Sequence, residues 1–165
     1  MRVVPTTKDV SFKEAYLLYL LRWNDFRGRS SRQEFWKVVA ITIVVVFALS
    51  RISYALGLGV WIALAYDLLN IVPVCSLQTR RLHDSGHSGW WIAVGVTLNA
   101  LLLALVFGIA MVAYGSPGVP MLRLAPYLMF GFGILTMAVL VIEIVTFVFD
   151  CQRGALDNRY GPQMH

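Results

Sequence analysis

Four apolar stretches decide what this chain can fold into. Residues 35–56, 60–79, 90–113 and 126–149 are each mostly apolar. Each has about the twenty residues that a helix needs to cross the hydrocarbon of a bilayer. Gly57-Leu58-Gly59 breaks the first pair, and Tyr114-Gly-Ser-Pro-Gly-Val-Pro120 punctuates the second with turn-forming residues. The runs raise the apolar share to 58% and hold charged residues to 14%. Soluble domains sit near roughly 45–50% and 25%. A chain of 165 residues cannot hide that excess in a core. An ordinary soluble domain, a disordered tail and a fibrous protein are thereby excluded. The expected fold is all-α, a polytopic membrane protein whose four transmembrane helices form two hairpins that pack as a small bundle.

Orientation follows from lysine and arginine. Eight of the fourteen lie before the first span or in its first turn, where Lys37 is the last of them; Arg80 and Arg81 lie between spans two and three, and Arg153 and Arg159 follow span four. Only Arg51 and Arg123 fall on the opposite side. Short loops rich in these residues stay cytoplasmic, so both termini are expected in the cytoplasm. Arg2 to Glu34 alternate charge with aromatic residues, and no cleaved targeting segment is expected there. Two cysteines, Cys75 and Cys151, are too few for a disulfide framework and read as reduced structural residues.

Before the first span, Ser11 and Glu14 have capping-box spacing. Phe12, Tyr16, Tyr19, Leu20 and Trp23 then recur at three- and four-residue intervals, predicting a short amphipathic helix at the membrane interface. A second capping box, Ser31 with Glu34, opens the first span. The organisation is a tail over 1–10, the interfacial helix and basic motif over 11–34, the transmembrane part over 35–149, and a tail over 150–165.

Three motifs share the proposed cytoplasmic side. They are Trp23-Asn-Asp-Phe-Arg-Gly-Arg-Ser-Ser-Arg-Gln-Glu-Phe-Trp36, Arg80-Arg-Leu-His-Asp-Ser-Gly-His-Ser-Gly-Trp-Trp91 and Gly154-Ala-Leu-Asp-Asn-Arg-Tyr-Gly-Pro162. Together, over roughly residues 16 to 162, they resemble the domain-of-unknown-function 805 family of bacterial inner-membrane proteins. His87 and the long fourth span depart from the family's pattern. The resemblance implies a bacterial inner-membrane location and a fold, but no activity.

Arginine presents a planar fork suited to phosphate and carboxylate. Arg27, Arg29, Arg32, Arg80, Arg81 and Arg159, with His83 and Asp84, are therefore the candidates for holding an anionic lipid headgroup or a protein partner. The bland alternative is that these arginines pair with Asp25, Glu34, Asp84 and Asp157 and staple helix ends together. Asp84 is the favoured partner of Arg29. His83, Asp84 and His87 invite a metal reading, but Ser85 and Gly86 interrupt the helix that would align the histidines. A catalytic zinc site also needs three protein ligands. His83 as a turn residue, with Asp84 capping the next span, is the simpler expectation. No catalytic motif of the Gly-x-Ser-x-Gly, Walker or His-Glu-x-x-His kind occurs. No catalytic residue, metal, cofactor or nucleic-acid partner is expected.

Inside the bilayer, Arg51, Asp67 and Glu143 are the ionisable groups, expensive to bury and hence functional candidates by default. Helix rise puts Arg51 and Asp67 at similar depth on either side of the Gly57–Gly59 turn, which predicts a structural ion pair between them. The leading expectation is a non-enzymatic accessory or binding protein with a basic cytoplasmic face, in a homo-oligomer or a larger membrane complex. The alternatives are a small transport or channel subunit using Asp67 and Glu143 in an oligomer, and a membrane enzyme using His83 and Asp84.

Overall fold

The computed structural model describes residues 10–115, 121–155 and 160, and side chains there except those of 112–115 and 121–125. The described residues form five helices and no strand: α1 (Phe12–Leu21), α2 (Arg32–Ala55), α3 (Trp61–Asp84), α4 (Trp90–Gly115) and α5 (Met121–Cys151). All but α1 contain a stretch long and apolar enough to cross a membrane. The chain divides into two compact units, one of Met1–Gly89 with Phe149–His165, the other of Trp90–Val148.

In the first unit α1 packs on α2 and α3, and α2 packs on α3. Val10, Ala15, Tyr19, Phe35, Val38 and Leu77 form its apolar core. Each large side chain buried there contributes about 1.5–3 kcal/mol. The Ser11–Glu14 capping box forms as the spacing predicts: Ser11 Oγ accepts from the Glu14 N–H at 3.2 Å, and Glu14 Oε2 accepts from the Ser11 N–H at 2.9 Å. At the second box Ser31 Oγ accepts from the Glu34 N–H at 3.2 Å, and the Glu34 carboxylate turns inward and lies fully buried.

The one-sided apolar stripe expected of α1 is not what the helix shows. Tyr19 is buried and Tyr16 half-buried, whereas Phe12, Leu17, Leu20 and Leu21 are exposed. Trp23 lies beyond the helix end and is also exposed. The exposed side of α1 mixes Leu17, Leu20 and Leu21 with Lys13 and Glu14, so no purely polar face stands opposite the packed one. Tyr19 OH donates to Asn70 Oδ1 at 2.7 Å, and Asn70 Nδ2 donates to the Tyr66 carbonyl at 2.8 Å. Burial pushes the Tyr19 hydroxyl up to about 12, which keeps it a donor.

Two turns explain the helix ends. After α2, Gly57 (φ +71°) sends its N–H to the Tyr54 carbonyl, and the Leu58 N–H reaches the Ser53 carbonyl. After α3, Gly86 (φ +85°) bonds the His83 carbonyl, and the His87 N–H reaches the Leu82 carbonyl. Both are Schellman turns, where only glycine takes the left-handed position without strain. The second turn corrects the expected span 60–79. Nothing in Arg80-Arg-Leu-His-Asp84 breaks a helix, so α3 continues five residues further than hydropathy indicates. The arginines ride on a rigid helix instead of lying in a loop.

The predicted Arg51–Asp67 ion pair is absent among the described residues, and both side chains are exposed. Helix rise matched their depth, but pairing also depends on which faces meet. On α2 the buried residue beside the turn is Ser53, whose Oγ accepts from the Ile62 N–H at 3.4 Å. Arg51 stands about 200° of helical rotation from Ser53 and points away from α3.

Candidate functional site

The end of α3 gathers residues from all three sequence motifs. Arg29, Arg81 and Asp84 are 3%, 0% and 1% exposed. Asp84 Oδ1 accepts from Arg29 Nε at 3.0 Å and Nη2 at 2.8 Å, while Oδ2 accepts from Arg81 Nη1 at 2.7 Å. One carboxylate thus holds two guanidinium groups that arrive from different parts of the chain. The expected contact between Arg29 and Asp84 is present, with Arg81 added to it.

The remaining donors go to backbone carbonyls. Arg81 Nε donates to the Asp150 carbonyl at 3.0 Å, and its Nη2 donates to that of Gln152. Arg29 Nη2 donates to the carbonyls of Asp84 (3.2 Å) and Ala155 (2.7 Å). The last four carbonyls of a helix have no partner within it, and cations there also complement the dipole. Arg29 and Arg81 therefore close the C-terminal ends of α3 and α5. The Ala155 N–H returns a hydrogen bond to the Asp84 carbonyl at 2.7 Å. Gly154 lies so close that a Cβ built on it would stand 2.5 Å from Asp84 Oδ2. Because two arginines hold that carboxylate in place, the third motif begins with the one residue that fits.

Histidines flank this clasp. His83 Nδ1 donates to the Gly28 carbonyl at 3.3 Å, and its ring stacks on Tyr160 with centroids 3.7 Å apart. His87 stacks on Phe149, also at 3.7 Å. The two imidazoles serve separate contacts. Among the described residues no three His, Cys, Asp or Glu side chains come together as a metal-binding group. The Asp84 carboxylate is occupied by the two arginines.

Beside the clasp lies a second charged group. Arg80 and Glu34 are both 0% exposed, and among the described residues the Arg80 guanidinium nitrogens have no hydrogen-bond partner. Arg80 is the strongest charged neighbour of Glu34, and Arg22 and Asp25 also act on Arg80. Asp25 accepts from Arg22 Nε and Nη2 at 3.0 and 2.7 Å. Burial pulls its carboxyl upward, but bonds from Arg22 and the Arg27 N–H, with the charges of Arg22 and Arg80, outweigh that and hold it below the usual range. Ser76 Oγ shares its proton between the Arg22 and Asp25 carbonyls at 3.0 and 2.8 Å, tying this loop to α3.

Of the sequence-derived candidates, Arg29, Arg81, Asp84 and His83 are brought together, Arg80 is buried alongside, and Arg27 and Arg32 are exposed. Arg159 lies outside the described residues. Sequence reasoning missed Ser76 and the close packing of Gly154. It also read Glu34 as a cap, and only its place between Ser31 and Phe35 on a helix that turns inward could have signalled burial. In the second unit Asn99 Nδ2 donates to Glu143 Oε1 at 3.1 Å, so Glu143 has a polar partner.

Comparison with known proteins agrees with this arrangement of motifs. Inner membrane protein YhaH of Escherichia coli K12 is 27% identical over 156 residues, covering 89% of this chain and 93% of its own length. Inner membrane protein YhaI of the same organism is 35% identical over 94 residues, or 56% of this chain and 80% of its own. No solved structure matches. The profile of a family described as protein of unknown function (DUF805) matches residues 23–162, which take in all three motifs. The chain belongs to that family of membrane proteins.

Proposed function

We propose that this chain is a non-enzymatic accessory protein of the inner membrane that binds anionic phospholipid headgroups through exposed cations on its cytoplasmic side. In this reading four spans form two hairpins, both termini are cytoplasmic, and α1 lies at the interface. One observation carries it: among the described residues the acids on that side are buried or bonded within the chain, and several cations are exposed. Glu34 and Asp84 are buried, Asp25 is paired with Arg22, and Glu14 caps α1. Lys13, Arg27, Arg32 and Arg153 remain exposed beside apolar Phe12, Leu17, Trp23 and Phe26. Cations next to exposed apolar and aromatic groups suit an anionic membrane surface. The clasp residues, including Arg29, Arg81 and Asp84, then position this surface without touching lipid.

The experiment is thermal unfolding of the full chain in nanodiscs of phosphatidylcholine with increasing phosphatidylglycerol. Stabilisation that rises with phosphatidylglycerol and fades with salt is expected. Indifference to lipid charge contradicts the reading. Reporter fusions after Gly115 and His165 are expected to give periplasmic and cytoplasmic signals respectively; the reverse overturns the topology.

Asp67 favours a second reading. It is exposed on α3 and has no ion-pair partner among the described residues. A lone carboxylate on a spanning helix is costly, so a neighbouring chain would gain by covering it. That fits a subunit of a transport or channel assembly using Asp67 and Glu143.

A further inference from the structure

We propose that the groove between α1 and the first half of α2 holds one anionic glycerophospholipid, its phosphate at Arg32 and Lys37 and one acyl chain along Ala40, Ile41, Val44 and Val45. This inference rests on the lipid-binding reading above and gives it a defined site. Two clefts of about 320 and 230 Å³ both touch Phe12 and Ala40 and so adjoin along one face of α2. The first is lined at its mouth by Arg32, Gln33 and Lys37, with no acid among the described residues that line it. The second is lined only by apolar side chains.

The two cations differ in freedom. Lys37 Nζ donates to the Val10 carbonyl and stands 5.7 Å from the centroid of the Phe12 ring. Its charge is therefore held at the lip of the groove. Arg32 is exposed in the first turn of α2 and has no ion-pair partner among the described residues. Glu14 feels the Lys37 charge, but its carboxylate is bonded to Ser11. A phosphate at the mouth would meet two positive charges, and among the described residues the acid acting on Lys37, Glu14, is already bonded to Ser11.

The apolar part has the length of a lipid tail. Residues 33, 37, 40, 41, 44 and 45 recur at three- and four-residue steps and share one helix face. Lys37 to Val45 spans eight residues, about 12 Å along the axis, against about 15 Å of hydrocarbon in one leaflet. A free phosphate would use only the mouth, and a neutral lipid only the apolar floor. An anionic glycerophospholipid uses both.

Native mass spectrometry of the full chain in mild detergent tests this, with phosphatidylglycerol and phosphatidylcholine of identical chains added in turn. One retained phosphatidylglycerol is expected, with about tenfold preference over phosphatidylcholine. Arg32→Gln should reduce the preference at least about threefold. That side chain is exposed and makes no side-chain hydrogen bond or ion pair among the described residues. Arg32→Gln with Lys37→Gln should abolish the preference, and Val44→Trp should lower retention of both lipids by filling the floor. Equal retention of both lipids by the unaltered chain overturns the proposal, as does a preference unaffected by Arg32→Gln and the double change. Displacement of the lipid by glycerophosphoglycerol at equal concentration would make this a headgroup site without a tail groove, and also overturns it. A dimer mass without lipid that Val44→Trp dissociates assigns the groove to a second copy. If nanodisc stabilisation by phosphatidylglycerol survives Arg32→Gln with Lys37→Gln, the groove fails and the broader lipid reading stands. If no lipid-charge dependence exists at all, both fail.

Discussion

Replacing Asp84 with alanine is expected to cost about 3–5 kcal/mol, the range for removing one partner of a buried ion pair. Here a single carboxylate answers two guanidinium groups, Arg29 and Arg81, both almost fully buried. Its loss leaves two cations facing each other at the helix ends they close. Folded proteins have only about 5–15 kcal/mol in hand, so recovery of the variant should fall as well. Asp84→Asn should be nearly as damaging despite its similar shape. Its amide keeps one acceptor oxygen but turns an NH2 donor toward a guanidinium that can only donate. Arg29→Ala should cost less, because Asp84 then keeps Arg81. Denaturant or thermal unfolding in detergent, followed by circular dichroism, measures the series. An Asp84→Ala variant within about 1 kcal/mol of the unaltered protein would contradict a clasp built on that carboxylate.

The clasp was partly legible beforehand, and the reason is topological. Hydropathy located the four spans, and the distribution of arginine put three charged motifs at matching helix ends. Once Arg29, Arg81 and Asp84 share one region, the short list of opposite charges makes their pairing a natural expectation. What escaped was how deeply they are buried. A motif rich in arginine reads as an exposed basic surface, yet here Arg29 and Arg81 also donate to carbonyls at and just beyond the ends of α3 and α5. Those carbonyls are backbone groups and carry no sequence signal. The Arg51–Asp67 error has a related origin. Sequence spacing gives depth along a helix well, but the face that meets a neighbour depends on packing around Ser53 and Ala63. Glu34 shows the same limit. Its spacing from Ser31 fits a capping box, and the buried Arg80 competes for its carboxylate from a helix over forty residues away in sequence.

That competition leads to the second large effect. Glu34 and Arg80 should be coupled strongly enough that changing both is less harmful than changing either. Each is 0% exposed, and Arg80 is the strongest charged neighbour of Glu34, so their mutual attraction offsets part of their loss of solvent. Glu34→Leu strands a guanidinium that cannot release its proton and that Arg22 already repels. Arg80→Met strands a carboxyl, which can still neutralise itself by taking up a proton. Glu34→Leu is therefore expected to be the worse single change, at about 3–5 kcal/mol, with Arg80→Met somewhat below it. The double variant replaces the pair with apolar groups of similar volume and should return to within about 1–2 kcal/mol of the unaltered protein. Asp25 keeps its bonds from Arg22 in every variant, so the loop around it should not confuse the comparison. Acidic buffer should rescue Arg80→Met, by protonating Glu34, and leave Glu34→Leu unimproved. If the two single costs simply add in the double variant, Glu34 and Arg80 do not act as a pair, and each must find its compensation elsewhere.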